Sequence, residues 1–177
     1  MGPTELEAVV EMALDEARGV FGSEDTAHPG VNYLMNHANP VYVGGRIEGV
    51  QAPMHPDLEA LWENPTEMRQ AFAKMGWRRV VAFQTSKPMH RLQREIALNA
   101  AKQIQAHILL HPTVGMTKPG DLHYYARVHC YQAIRRHFPQ NLATLSLLPL
   151  AMRMAGPREA LWHAIVHQNY GCSHMVV

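Results

Sequence analysis

Cysteine is scarce: only Cys130 and Cys172 occur, far apart, and neither belongs to a C-x-x-C pair. That removes a disulfide framework and a cysteine-built zinc site, and it fits residence in the cytoplasm. Net charge is equally thin, +1 from 16 Lys and Arg against 15 Asp and Glu. Nucleic-acid binders ordinarily carry a basic surplus or stripe, so no nucleic-acid partner is expected and any anion site must be local. No uninterrupted apolar run is long enough to span a bilayer, so no membrane partner is expected either. The opening residues MGPTELEAVVEMALDEARG place acidic side chains inside an amphipathic pattern, without the basic start and apolar run of a signal peptide.

What is present describes a globular chain. The 177 residues are 47% hydrophobic and 18% charged, enough to bury one core, with room for a second small domain. Histidine is abundant at 12 residues, which invites a metal reading. The best pair is His163 and His167, four apart on an expected helix, but Ala164 stands where a zinc-protease HExxH has its glutamate. Zinc needs three or four convergent ligands, so no metal site is expected there, and both are read as surface or half-buried helical histidines.

The first part of the chain and the rest have different rhythms. Thr4 with Glu7 reads as a capping box opening a helix to about Arg18. Residues 39–53, with Val41, Val43, Ile47 and Val50 between glycines, read as two short strands. Asn64-Pro65-Thr66 then introduces a helix stopped at Gly76. Beyond it, strand-like runs at 80–84, 107–111, 143–148 and 174–177 alternate with helical stretches at 89–105, 121–138 and 156–170. Strands separated by helices of that length imply right-handed crossovers and a parallel sheet. In the first of these helices Leu92, Ile96, Ala100 and Ile104 recur every fourth residue and are expected to form its buried stripe.

The most informative stretch is VVAFQTSKPMHRLQRE, residues 80–95. An apolar strand runs into the polar turn Gln84, Thr85, Ser86, Lys87, Pro88, and a helix opens near His90. Ligands of open α/β sheets bind beyond the carboxyl ends of the strands, and a helix N-terminus at that place favours an oxyanion. Arg153 and Arg158 flank Gly156-Pro157 at another strand-to-helix junction, and Lys118 lies in the loop HPTVGMTKPGD.

This segment resembles the nucleotide-binding signature of the ATP sulfurylase (sulfate adenylyltransferase) family, Gln-Thr-Arg-Asn-Pro followed by His-x-x-His. Gln84, Thr85, Pro88, His90, Arg91 and Glu95 stand where the family has them, whereas Ser86 holds the arginine position, Lys87 the asparagine position and Gln93 the second histidine position. FGSEDTAHPG, PVYVGG, HPTVGMTKPGD and LSLLPLAMRMAGPRE resemble further segments of that family in the same order.

The resemblance implies an α/β fold, a Rossmann-like nucleotidyltransferase parallel sheet over residues 64–177, preceded over residues 1–63 by the tail of a β-rich, PUA-like domain. It implies transfer of the adenylyl group of magnesium-bound ATP to sulfate, giving adenosine 5′-phosphosulfate and pyrophosphate, with no tightly bound cofactor. Catalytic roles fall on Thr85, Ser86, Lys87 and His90, and nucleotide or sulfate contacts on Gln84, Thr85, Lys87, His90, Gln93, Lys118, Arg153 and Arg158. Lys87 stands one position after the lost arginine and could return a positive charge to the site, as a point charge without the planar fork. The full-length form is expected to be a homo-oligomer, fused to or working with an adenylylsulfate kinase. A Gly-Arg-Asp-His motif follows the matching strand in the family, and this chain ends one residue short of it, which leads one to expect a fragment. The alternative reading is a non-catalytic remnant of the same fold with a nucleotide-binding or assembly role.

Overall fold

The computed structural model describes residues 3–51, 57–115 and 120–177, with side chains from residue 8 onward. They fall into two compact units, Met1–Met54 with Arg153–Leu161, and His55–Met152 with Trp162–Val177.

The first unit contains α1 (Pro3–Phe21) and α2 (Pro29–Asn36). Pro3 lies in the first turn of α1, where a missing N–H costs nothing, so the helix begins ahead of Thr4. Gly22, at φ 69°, ends α1 and donates its N–H to the Arg18 carbonyl at 3.1 Å. His28 caps α2: its Nδ1 accepts from Gly30 N at 3.1 Å, and its Nε2 lies 2.9 Å from the Met154 carbonyl oxygen.

The strands expected over residues 39–53 are not formed in the part described, and no strand precedes Val80 among the described residues. A two-stranded ribbon needs a third strand or a helix over its apolar face. Here Val43, Ile47 and Val50 are 97%, 92% and 98% exposed, so nothing offsets the entropy of ordering this glycine-rich stretch. No β-rich, PUA-like tail is seen among the described residues there.

The second unit holds α3 (Pro65–Lys74), β1 (Val80–Phe83), α4 (Arg91–Ile104), β2 (His107–Leu110), α5 (Tyr124–Arg135), β3 (Ala143–Leu145) and β4 (His174–Met175); α6 (Gly156–Asn169) precedes β4. Asn64 opens α3 with a complete capping box, its Oδ1 accepting from Thr66 N and Glu67 N while Glu67 Oε2 accepts from Asn64 N. The four strands form one parallel sheet in the order β3-β2-β1-β4, with Val80 opposite His107 and Val81 opposite His174. The α/β fold with a parallel sheet is therefore as the sequence implies.

All four residues of β1 are buried, as a strand covered on both faces requires. Val81 and Phe83 pack with Ile108, Leu110, Ala97, Ala101 and Tyr131, while Val80 and Ala82 pack on the other side with Met68, Phe72, Leu109 and Tyr170. The expected stripe on α4 is corrected by this packing. Leu92 and Ile96 are 64% and 42% exposed, and the fully buried positions are Ala97 and Ala101, with Ala100 and Ile104 partly packed. A row of residues four apart turns by about 40° at each step, so Leu92 and Ile104 differ by about 120° around the axis and cannot share one narrow face.

The chain beyond β2 runs beside the chain beyond β3, Thr113 bridging to Leu148. Gly115 makes this possible, because a Cβ there would stand 2.4 Å from the Leu150 carbonyl oxygen and 2.8 Å from Ala151 N. Backbone atoms cannot rotate aside. Gly115→Ala is expected to cost about 2 kcal/mol, read as a lower urea midpoint; an unchanged midpoint would show that the two segments separate easily.

Candidate functional site

The loop after β1 leaves the carboxyl edge of the sheet alongside the segment after β2. The pairing of the strands continues into it, with His111 N donating to Phe83 O at 3.0 Å and Thr113 N to Thr85 O at 3.2 Å. Thr85 Oγ1 then accepts from Lys87 N at 3.0 Å, closing a tight turn. Met89, 7% exposed, pins the far end of the loop into the core, and His90 occupies the N-cap position of α4. Gln84, Thr85, Ser86 and His90 are thus brought to one edge, as the strand-turn-helix pattern implies.

Within this loop Gln84 is distinctive. Among the described residues its buried Oε1 has no hydrogen-bond partner, and its Nε2 lies 3.9 Å from the Met152 sulfur. A buried amide left this way costs free energy unless another group satisfies it. Gln93, at the second histidine position of the signature, caps the helix, its Oε1 accepting from His90 N at 3.1 Å.

Lys87 departs from expectation. Its ammonium pairs with the carboxylate of Asp121, whose side chain is 3% exposed, so the positive charge is neutralised internally rather than offered to an anion. The reason is electrostatic: a nearly buried carboxylate demands a counter-charge, and Lys87 supplies it. Two further residues from α5 hold the loop. Arg127 Nη1 donates to Ser86 O at 2.9 Å and to Thr113 O at 2.8 Å, and Tyr131 Oη donates to Lys87 O at 2.9 Å. Burial lowers the Arg127 pKa, opposed by the Asp121 charge, and burial raises that of the Tyr131 phenol. Neither residue stood out in the sequence. The available signal was an arginine and a tyrosine four apart on the face of a helix that also carries Val128.

His90 also borders an open groove of about 600 Å³ between α4 and α5, with Arg91, Arg94 and His137, and Gln84 to Lys87 take no part in lining it. Arg94 is already engaged, donating Nε to the His137 carbonyl at 3.0 Å. Lys118 lies outside the described residues. Arg153 and Arg158 belong to the first unit: Arg153 N donates to Glu159 Oε1 at 2.6 Å, and the Arg158 guanidinium donates to the Gly19 carbonyl.

His163 and His167 are buried, at 5% and 1% exposure, rather than on the surface. The face of α6 that carries them packs toward the end of β2, where His111 lies edge-on to His167 at 5.1 Å and to Tyr170 at 4.6 Å. His167 Nδ1 lies 2.7 Å from the His163 carbonyl oxygen. Burial and the adjacent His167 push the His111 pKa well below 6.5, and burial lowers that of His167. No group of three metal-ligating side chains occurs among the described residues.

Residues 59–177 match the ATP-sulfurylase family model. The chain belongs to the ATP-sulfurylase family. Among curated proteins similar to it, the sulfate adenylyltransferase of Mycosarcoma maydis is 55% identical over 162 residues, 92% of this chain and 28% of that protein. The sulfate adenylyltransferase of Schizosaccharomyces pombe is 53% identical over 163 residues, 92% of this chain and 33% of that protein. The chain therefore spans about a third or less of these ATP-sulfurylase relatives. A solved structure described as a hexameric APS kinase from Thiobacillus denitrificans superposes with a TM-score of 0.70 at 41% identity, covering 75% of this chain and 27% of that one.

Proposed function

We propose that this chain carries the nucleotide and sulfate site of a sulfate adenylyltransferase, which transfers the adenylyl group of magnesium-bound ATP to sulfate and releases pyrophosphate. The observation that carries the reading is the buried Gln84 amide oxygen, without a partner among the described residues, at the carboxyl edge of β1 in a loop that leads directly to the N-terminus of α4. Sulfate is a poor nucleophile, so the protein must above all align the reactants: one sulfate oxygen opposite the leaving pyrophosphate, with donors placed where negative charge grows on the α-phosphate. Gln84, Thr85 and Ser86 supply short polar groups for that purpose, and His90 at the helix N-cap contacts the phosphates. Lys118, Arg153 and Arg158 are the cationic contacts to the anionic substrates, and Gln93 contributes by fixing the turn at His90.

The identity of just over half to proteins named sulfate adenylyltransferase supports this reading. The hexameric, APS-kinase description of the solved relative favours a homo-oligomer that is fused to, or works with, an adenylylsulfate kinase. No helix among the described residues is long and apolar enough to cross a membrane. A second reading, a nucleotide-holding remnant, is favoured by one observation: Lys87 is neutralised by Asp121 while serine replaces the signature arginine at position 86.

Exchange of labelled pyrophosphate into ATP separates the two. Exchange that requires sulfate supports the transferase, and tight ATP binding without exchange supports the remnant. Exchange that ignores sulfate and requires another acceptor would overturn both.

A further inference from the structure

We infer that Arg127, Tyr131 and Asp121 are positioning residues that set the shape of the Gln84 to His90 loop from behind and, through that shape, its affinity for nucleotide; the inference rests on the proposed reading of that loop. The loop's carbonyl oxygens are the groups least suited to an anion site, since each presents the negative end of a peptide dipole. Two of them are taken out of play. Ser86 O accepts from Arg127 Nη1 and Lys87 O from Tyr131 Oη, both at 2.9 Å. Arg127 and Tyr131 are four apart on α5, hence on one face, and they are 3% and 0% exposed.

The same Arg127 nitrogen donates to Thr113 O at 2.8 Å, so one guanidinium ties the loop after β1 to the loop after β2. Asp121, just ahead of α5, adds a third hold by pairing with the Lys87 ammonium, and this fastens the side chain of the residue whose carbonyl Tyr131 already binds. All three contacts fall on Ser86 and Lys87, the two positions at which the family signature has arginine and asparagine. The substituted pair therefore has its carbonyls and its one cation spoken for, Thr85 is tied to Lys87 N and Thr113 N, and Gln84 and the α4 N-terminus are left to face a ligand.

The test uses the whole chain with Tyr131→Phe, Arg127→Lys and Arg127→Gln. Amide hydrogen exchange is followed at residues 85–90 and in β1 and β2, together with the affinity for magnesium-ATP by calorimetry. Tyr131→Phe removes the hydroxyl that binds Lys87 O and keeps the buried ring, so it guards against a variant that fails to fold. It should raise exchange in the loop and weaken ATP binding by about fivefold to tenfold each, with the amides of Ile108, Leu109 and Leu110 unchanged. Arg127→Lys, which keeps the charge but not the fork, should fall between wild type and Arg127→Gln in both readouts. Unchanged loop exchange would overturn the hold itself. Faster loop exchange with unchanged ATP affinity would make these residues merely structural and overturn their positioning role. A wild-type chain that binds no ATP, with local loop exchange still responding, would instead overturn the nucleotide reading on which the inference rests.

Discussion

Ser86→Arg should raise sulfate-dependent pyrophosphate exchange about a hundredfold, the effect expected when one well-placed donor to a growing oxyanion is restored. Arginine offers two parallel N–H donors to an oxyanion, and serine offers one hydroxyl. The gain depends on keeping Lys87. Full restoration of the family pattern would also replace Lys87 by asparagine, but Lys87 balances the nearly buried Asp121 carboxylate. Lys87→Asn alone is therefore expected to lower stability by about 2 kcal/mol and to give no gain in exchange. Gln93→His would sacrifice the cap on His90 N, so its benefit should be smaller than that of Ser86→Arg. Exchange measured across these single variants checks the order. Equal activity of wild type and Ser86→Arg would mean that another cation already serves the site.

Stability should fall on acidification from pH 7 towards pH 5. His111 and His167 are both held below the ordinary imidazole value by burial, and the proximity of His167 opposes charging of His111 further. In the unfolded chain they take up protons as the pH drops through about 6.5. The folded chain takes them up only at lower pH, so the unfolded state binds more protons and gains by acidification. The stabilisation is complete above about pH 6.5 and is lost progressively below it, with a limiting slope of about 1.4 kcal/mol per pH unit for each group that stays neutral in the fold. Urea unfolding at several pH values checks the slope, and His111→Leu should reduce it. A pH-independent midpoint, or stability that rises on acidification, would show that the pair is charged in the folded protein.

The sequence disclosed the parallel sheet because the relevant signals are local: four apolar runs, separated by helix-length segments, leave few topologies open. It also disclosed the place of the loop, since Gln84 to His90 follow directly from the strand-turn-helix order. What it concealed depends on neighbours distant along the chain. The hold of Arg127 on Ser86 spans 41 residues, and the pairing of Lys87 with Asp121 spans 34. Neither has a periodicity or a motif to betray it. Val41 to Val50 carry strand propensity without a covering surface, and propensity alone did not order them. Spacing by fours misassigned the face of α4, because Leu92 and Ile104 lie too far apart around the helix for one seam. The burial of His163 and His167 was hidden for a similar reason, since nothing in their spacing shows that His111 and Tyr170 lie beside them.

The central claim is that nucleotide binds at the carboxyl edge of β1, and amide chemical-shift mapping by NMR during a magnesium-ATP titration tests it most directly. The largest changes should fall on Gln84, Thr85, Ser86 and His90, saturate together with one affinity, and be weakened by Gln84→Ala. Changes that gather instead around Glu59, Glu63 and Gln70 at the groove on α3, with the loop after β1 unmoved, would contradict it.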